Sequence, residues 1–329
     1  MKGQFMNMHY RFMLISVVLA IFFGAAACGK QEKVDDLCLE EEAVYEKNVY
    51  DTLNVATYLT KIGDTYFIND CYHNQIIFHD NLDDPLTDWD VLTKDVHYAH
   101  TIAGDGTVLL TDDTENNRVL VFTKSMNGYI QTQILDEIGL KPHYVQYNEK
   151  RGAFYVWSSI TGELYEFKRQ PDTNTVYQSS KKKIDELYGI YVRSFTIIGD
   201  DIYFVSGHNN HKIIQANLDS MEVKDAFDVP GEIAGMVQLT KIQDYFYLTI
   251  STDEEENQDY ATIIRTKDLA DLIKGEYEDI YDKFCVEKGT PYYISEIDGT
   301  CYLTHHRTGE NIISFQVIDN EIENVKVVY

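Results

Sequence analysis

The sequence predicts an all-β fold, a six-bladed β-propeller with one helical insertion in the fifth blade. Three observations support this prediction: a pattern of four short β-rich runs recurs six times, its period is that of propeller blades, and one copy contains a stretch of helical periodicity. Copies begin near residues 55, 97, 143, 192, 235 and 290 of the 329-residue chain, a period of about 40 to 55 residues. One copy cannot bury both faces of its sheet, whereas six copies stacked radially can.

The clearest copy spans residues 97–134. Turn residues separate its runs, with Asp105-Gly106 after the first run and Glu115-Asn-Asn117 after the second, as expected for consecutive antiparallel strands. The other copies centre on residues 65–78, 153–167, 202–214, 245–264 and 300–315. The last copy has its own fourth run at residues 323–329, so we expect the sixth blade to be complete without a strand from the first.

A motif in the second copy resembles a known repeat. Asp112-Asp-Thr-Glu-Asn-Asn-Arg118, followed by Val-Leu-Val-Phe, resembles the repeat of NHL-type six-bladed propellers. The other five copies share only its strand order and spacing. The resemblance implies the fold; it also implies an alternative activity, because some NHL-like propellers are lyases that use histidines, a Tyr base and an Arg at the top of the channel. Residues of these kinds here are His97, Tyr98, His143, Arg193 and Met236.

The fifth copy departs from the repeat between Thr266 and Phe284. Apolar side chains there recur every three or four residues among acids and lysines, at Leu269, Leu272, Ile273, Tyr277, Ile280 and Tyr281. This spacing predicts an amphipathic helix that lies against the propeller, with Gly275 weakening its middle. A helix that binds a partner protein is the alternative.

Residues 1–27 have the pattern of an export signal. Lys2 and Arg11 precede an uncharged apolar stretch that ends in three alanines directly before Cys28, and the stretch is short for a membrane span. The pattern resembles the bacterial lipoprotein signal, which implies a lipid on Cys28 and a location in the cell envelope, on the outer, extracytoplasmic face of a membrane. An ordinary signal peptide is the alternative. We expect residues 28–53 to be an acidic tether and residues 54–329 to be the propeller.

The charge balance is strongly acidic. The formal net charge is −26, and loss of Lys2 and Arg11 with the signal would make it −28 (−26 − 2). This charge disfavours nucleic acid and electrostatic docking on an anionic membrane. We expect a monomer. Without CxxC spacing, the remaining cysteines suit disulfides or buried free thiols equally; they are Cys38, Cys71, Cys285 and Cys301.

Histidines collect on one face of the predicted propeller. The loops between second and third strands and the connections between blades open on the same face, and seven of the ten histidines map there, with His100 slightly deeper. We predict that this face binds a small molecule, a glycan or a peptide. The predicted ligand-binding residues are His97, Tyr98, His143, Tyr144, Trp157, Arg193, His208, His211, His305 and Arg307. The aromatic residues also suit packing between blades.

Two chemistries fit this face. Positive side chains beside the histidines predict a mouth for a carboxylate or phosphate; they are Arg118, Arg193, Lys212 and Arg307. Alternatively, His97, His143 and His208 bind a transition metal with an open position, as a metal-assisted lyase or hydrolase requires. An envelope scaffold is a third hypothesis. Serine hydrolase, zincin and nucleotide hydrolase classes lack their G-x-S-x-G, H-E-x-x-H and Walker motifs.

Overall fold

The computed structural model describes residues 44–126, 128–207, 209–284 and 289–329. These residues form six antiparallel four-stranded sheets, and within each sheet the strands follow one another in chain order. The predicted six-bladed β-propeller is therefore confirmed, and the sixth blade consists of four strands of its own. The predicted signal, Cys28 and the tether up to residue 43 lie outside the described residues.

The strands of the six blades run from the channel outwards. The first blade has β1 (Ala56–Ile62), β2 (Thr65–Asp70), β3 (Gln75–His79) and β4 (Asp90–Thr93). The second has β5 (Ile102–Gly104), β6 (Val108–Asp113), β7 (Arg118–Ser125) and β8 (Gly128–Leu135). The third has β9 (Pro142–Asn148), β10 (Ala153–Ser158), β11 (Glu163–Arg169) and β12 (Val176–Lys183).

The last three blades follow the same plan. The fourth has β13 (Val192–Ile198), β14 (Asp201–Ser206), β15 (Lys212–Asn217) and β16 (Val223–Asp228). The fifth has β17 (Gly235–Ile242), β18 (Tyr245–Thr252), β19 (Thr262–Thr266) and β20 (Glu278–Asp279). The sixth has β21 (Thr290–Ile297), β22 (Thr300–His306), β23 (Ile312–Ile318) and β24 (Glu321–Val327).

All helical segments among the described residues are short 3-10 turns. Seven of them span three residues each: Cys71–His73, Leu86–Asp88, Thr114–Asn116, Glu149–Arg151, Asp185–Leu187, Gly231–Ile233 and Gln258–Tyr260. Two longer turns, Leu269–Lys274 and Tyr281–Phe284, lie in the fifth blade. No helix in the described ranges is long and apolar enough to cross a membrane.

The helical insertion of the fifth blade is present but shorter than its periodicity predicted. It is the six-residue turn Leu269–Lys274, which begins where Asp268 accepts a hydrogen bond from the Ala270 amide at 3.0 Å. It ends at Gly275, whose φ of +73° is the left-handed conformation that glycine adopts without strain. Leu269 is buried in the apolar core of the fourth and fifth blades. The chain then forms β20 at the sheet edge.

Hydroxyl groups join each blade to the next around the channel. Every junction has a Ser or Thr side chain that donates to a carbonyl of the following blade: Thr57 to His100, Thr114 to Pro142, Ser159 to Val192, Ser194 to Val237, Thr249 to Tyr292 and Thr304 to Thr57. Their donor–acceptor distances are 2.5–2.9 Å. These bonds satisfy buried polar groups where the inner strands converge.

The seam between the sixth and first blades is closed by side chains rather than by strand exchange. The Tyr329 hydroxyl lies 2.5 Å from the Leu82 carbonyl and 2.7 Å from the Asp84 carbonyl, and it accepts a hydrogen bond from Trp89 Nε1 at 3.2 Å. The amide of Val55 donates to the Arg307 carbonyl at 3.2 Å. The C-terminal residue therefore fastens the last blade to the first.

The end of the predicted tether packs on the first blade. The Asn48 amide donates to the Trp89 carbonyl at 2.8 Å, and the Glu46 carbonyl accepts from the Val91 amide at 2.9 Å. The Tyr45 ring meets Phe78 edge to face at 4.8 Å. This segment lies along β4, so the folded domain includes residues from about 45 onwards, earlier than the predicted boundary at residue 54.

The motif that resembles the NHL repeat fixes the connection into the second blade. The buried Asp113 carboxylate accepts hydrogen bonds from the His97 amide at 2.7 Å and from Arg118 Nε at 2.6 Å. Asn117, at φ +55°, accepts from the Lys141 amide at 2.7 Å. The motif thus binds the connection that enters the second blade, at His97, and the connection that leaves it, at Lys141.

The first blade repeats this arrangement without the sequence match. Asp70 accepts from the Asn54 amide at 2.8 Å, and Asn74, at φ +53°, accepts from the Tyr98 amide at 3.1 Å. Tyr98 itself has φ +55°, which is uncommon for a tyrosine. Its side chain is therefore held in a defined place on the histidine-rich face.

Candidate functional site

A cavity of about 220 Å³ lies at the channel end, on the face that the sequence predicted. Its lining comes from the first, fourth, fifth and sixth blades and from the connection into the second, and it contains neither an aliphatic side chain nor a carboxylate. The lining residues are Thr57, Cys71, Tyr72, His100, Tyr191, Arg193, Ser251, Thr252, Gln258, Thr290, Tyr292 and His306. Arg193 is the only one of these that is always charged.

A row of seven aromatic and imidazole rings leads from the rim into this cavity. In order from the outside, the aromatic row consists of His97, Tyr98, Tyr72, His306, Tyr292, His100 and His143. Neighbouring ring centroids are 3.6 to 6.1 Å apart. Its outer members are exposed, whereas His143 is buried. The row therefore connects solvent with the floor of the cavity.

The floor of the cavity consists of two lining residues, His100 and Tyr292, and of the buried His143 directly beneath them. His143 Nε2 lies 3.1 Å from the Tyr292 hydroxyl, and its Nδ1 has no partner among the described residues. Burial, reinforced by His100 and Arg193, lowers the pKa of His143 well below its usual value. Burial also raises the pKa of Tyr292. At neutral pH both groups are therefore uncharged.

A buried carboxylate positions His100. Asp112 is fully buried and accepts from the backbone amides of His100 and Thr101, at 2.9 and 2.8 Å. His100 Nδ1 lies 3.0 Å from the Thr114 hydroxyl, and its Nε2 lies 4.0 Å from Cys71 Sγ. Asp112 therefore holds the backbone at His100 in place from behind the cavity lining, and its charge contributes to the raised pKa of Cys71 and of Tyr292.

Arg193 points its guanidinium into the cavity wall. Its Nη1 donates to the Ser251 hydroxyl at 2.8 Å, and its guanidinium carbon lies 5.4 Å from the centre of the Tyr191 ring. Within the described part of the chain, no carboxylate forms an ion pair with it. Among the residues that the structure describes, the guanidinium group therefore contacts a hydroxyl and a ring face rather than a carboxylate.

A larger groove of about 1010 Å³ adjoins the cavity on the fifth-blade side. The two share Gln258, Thr290 and His306. In contrast to the cavity, the groove is lined by acids: Glu232, Asp259, Asp279 and Asp282. The cavity side of the three shared residues thus carries the positive charge of Arg193, whereas the groove side carries several negative carboxylates.

Four of the predicted ligand-binding residues belong to this region. Arg193 lines the cavity, His143 lies in its floor, and His97 and Tyr98 form the outer end of the aromatic row. Arg307 lines only the adjoining groove, where its Nη2 lies 3.5 Å from Glu310.

Three predicted residues do not face the cavity. Trp157 and Tyr144 are buried in the apolar core between the third and fourth blades, against Phe204 and Phe195. His305 is fully buried beside Tyr281, and burial lowers its pKa to about 4. This corrects the interpretation of all three as exposed on the rim.

The error at His305 has a simple physical cause. Successive residues of a strand point to opposite faces of the sheet, so that His305 of β22 faces the blade core and His306 faces the cavity. His211 lies 3.6 Å from Glu254, outside the cavity lining. His208 lies outside the described residues.

The proposed metal ligands do not form a cluster in the described residues. No group of three or more His, Cys, Asp or Glu side chains there is arranged to hold a metal ion. His97 is exposed at the rim, whereas His143 is buried in the floor. Two other predicted cations are neutralised, Arg118 by Asp113 at 2.6 Å and Lys212 by Asp228 at 2.5 Å.

The described cysteines are free and buried. Cys71 lines the cavity, and Cys301 lies in the core of the sixth blade. Burial, together with Asp112 and Asp70, raises the pKa of Cys71 well above its usual value, so it is a neutral thiol. Cys38 and Cys285 lie outside the described residues.

Sequence reasoning missed most of the cavity lining. Tyr72 and Gln258 lie in 3-10 turns and Tyr191 lies in the connection before β13, and no pattern in the sequence singled these three residues out. His100, Tyr292 and His306 were recognisable as polar or aromatic residues near the predicted rim. What was missing was their side-chain direction.

Comparisons with known proteins show the fold of this chain and nothing more specific. No family model matches it, and no curated protein matches it. Among solved structures, a candidate 6-phosphogluconolactonase from Bacteroides uniformis has a TM-score of 0.59 and 13% identity, covering 83% of this chain and 85% of its own. A streptogramin B lyase has a TM-score of 0.57 and 11% identity, covering 85% of this chain and 84% of its own.

A third similar structure, a candidate 6-phosphogluconolactonase from Bacteroides fragilis, has a TM-score of 0.58 and 10% identity, covering 81% of this chain and 82% of its own. At such identities the similarity concerns the fold alone. The chain is a six-bladed β-propeller protein with a polar cavity at one end of its channel.

Proposed function

We propose that this protein is a lipid-anchored, extracytoplasmic propeller of NHL type that binds a small anionic molecule in the channel cavity without transforming it. The observation that carries the proposal is Arg193, a guanidinium at a cavity wall that contains no carboxylate. A carboxylate or phosphate would give Arg193 a charge-assisted hydrogen bond in a partly desolvated place. The lipid anchor rests on Cys28 and the alanines before it.

The surroundings of Arg193 favour one anionic group rather than a cation. His143 and His306 have pKa values lowered by burial, and a nearby anion would stabilise their protonated forms. Binding of an anion should therefore be accompanied by proton uptake at mildly acidic pH. The strongly negative charge of the whole chain repels anions at long range, so the attraction must come from Arg193 at short range.

The experiment is a calorimetric titration of the purified full chain with sodium acetate and with inorganic phosphate. We expect Arg193→Gln to weaken binding of whichever anion binds by about 10- to 100-fold, because a hydrogen bond to a charged group is worth about 1.5–3 kcal/mol. The matched control is Arg151→Gln, which removes an arginine paired with Asp219 on the opposite face. Equal binding by the wild type and Arg193→Gln would refute the anion site.

A lyase or hydrolase is the second candidate, favoured by the pair of His143 and Tyr292 in the cavity floor. Their contact at 3.1 Å joins a neutral imidazole to a phenol, the types of group that move protons in catalysis. A metal-assisted form would need ligands beyond those the structure describes. Following the same ligands by proton NMR during the titration separates turnover from simple binding.

A further inference from the structure

We propose that the anionic ligand is the acidic end of a carbohydrate, with its terminal sugar acid in the cavity and the next sugar ring on Tyr72 and Tyr98. This inference rests on the proposed anion site at Arg193 and names the class of ligand for it. Three observations on the described residues lead to it: the chemistry of the cavity lining, the exposed end of the aromatic row, and the acids of the adjoining groove.

The lining of the cavity matches a polyol. Apart from Arg193, it consists of hydroxyl, amide, imidazole, phenol and thiol side chains, including Thr57, Ser251, Gln258 and Thr290. Thr57 and Ser251 already donate to backbone carbonyls, those of His100 and Gly235. An apolar ligand would therefore leave chiefly the side chains of Gln258 and Thr290 without hydrogen-bond partners, which is costly when they are shielded from water. A sugar ring presents a hydroxyl in almost every direction and can pair with them. A short fatty acid or an aromatic acid cannot.

The size of the cavity limits what enters it. Its volume of about 220 Å³ is that of about seven water molecules at about 30 Å³ each, which is comparable with one sugar ring. The rest of an oligosaccharide must therefore stay outside, at the rim. This geometry favours recognition of a chain end over recognition of an internal segment.

The rim offers a stacking surface for the second ring. Tyr72 and Tyr98 are 46% and 36% exposed, and their centroids lie 5.3 Å apart. The hydroxyl of Tyr72 is 2.9 Å from His306 Nε2, which lines the cavity. The backbone amide of Tyr98 donates a hydrogen bond to the Asn74 side-chain oxygen at 3.1 Å. The face of an aromatic ring carries negative charge and attracts the slightly positive C–H face of a sugar.

The adjoining groove restricts the number of acidic groups. Glu232, Asp259 and Asp279 line the groove next to the residues that it shares with the cavity. A second carboxylate on the ligand would meet these acids at short range, where like charges repel. We therefore expect a glycan with one terminal acid on a neutral chain to bind, and a polyuronate to bind poorly.

The test is a calorimetric titration of the full chain with five probes: acetate, glucose, glucuronate, a disaccharide of glucuronate linked to glucose, and triglucuronate. We expect glucuronate to bind at least tenfold more tightly than acetate or glucose, because it engages both Arg193 and the hydroxyl lining. The disaccharide should bind about five- to tenfold more tightly still, a gain in the range measured for aromatic contacts. Triglucuronate should bind more weakly than the disaccharide.

Variants connect these affinities to the residues. Tyr98→Asn, which tolerates the left-handed conformation at this position, should remove the advantage of the disaccharide over glucuronate. Tyr188→Ala removes a tyrosine that is 66% exposed in the connection into the fourth blade and does not belong to the aromatic row. We expect this control to keep the advantage. A thermal melt of each variant checks that it is folded.

The outcomes separate this inference from the anion proposal. If acetate and glucuronate bind equally, or if Tyr98→Asn and Tyr188→Ala behave alike, the carbohydrate assignment is wrong while the anion site at Arg193 stands. If no anionic probe binds and Arg193→Gln changes nothing, both fail. Tight binding of glucuronate that depends on Arg193, with a further gain that depends on Tyr98, supports both.

Discussion

Replacing Asp113 with alanine should strongly destabilise the propeller. Its fully buried carboxylate accepts from the His97 amide, from Asn116 and from Arg118 Nε, so its loss leaves three donors unpaired at once. Removing one partner of a buried ion pair typically costs about 3–5 kcal/mol. We expect a loss of this size in the free energy of unfolding, because the Arg118 side chain is only 18% exposed and has little access to water.

A urea titration followed by tryptophan fluorescence measures this loss. Asp95 provides a matched control: it also pairs with Arg118, at 3.0 Å, but its side chain is 64% exposed. Asp95→Asn should therefore cost less than about 1 kcal/mol, as exposed ion pairs do. A cost below about 1 kcal/mol for Asp113→Ala, or equal costs for both variants, would refute the view that the motif fastens the blade connection.

Two further predictions concern burial and closure. His305 is fully buried with a pKa of about 4, so between pH 6.5 and 4 the unfolded chain binds a proton that the folded chain does not; stability should fall by about 3 kcal/mol over this interval. His305→Phe should flatten that part of the pH profile in urea titrations, and an unchanged slope would contradict the assignment. Tyr329→Phe removes the hydroxyl that meets Leu82, Asp84 and Trp89, which should cost about 1–2 kcal/mol in thermal unfolding. Tyr177→Phe, at an exposed outer strand, should cost almost nothing.

The fold was predictable because it depends on a pattern repeated six times. Errors of one or two residues in a single copy do not change the number of runs, their order or their period. The repeat assigned Arg193 and His143 to connections between blades, and the structure has each as the second residue of an inner strand, β13 and β9. Even the complete sixth blade could be predicted, because residues 323–329 form an additional β-rich run, which corresponds to β24 at Glu321–Val327.

The site was less predictable because it depends on side-chain direction. His305 and His306 are adjacent, and only the register of β22 decides which of them faces the cavity. Trp157 and Tyr144 are residue types that are common at binding surfaces, but both side chains are buried in the core. The acidic composition before residue 54 predicted a tether, and no periodicity in this segment indicates that Tyr45 contacts Phe78 or that Asn48 bonds to Trp89.

The side-chain closure at Tyr329 has a consequence for how the molecule could be rearranged. In a propeller closed by strand exchange, the first and last segments must share one sheet, so the position of the chain ends is dictated by the fold. Here every blade consists of consecutive strands, and the Thr304 hydroxyl joins the last blade to Thr57 of the first just as a Ser or Thr hydroxyl does at each of the other five junctions. A circularly permuted chain, joined at the seam and opened between two other blades, would retain every complete sheet. The blade is thus the unit in which this architecture can be duplicated, reordered or cut.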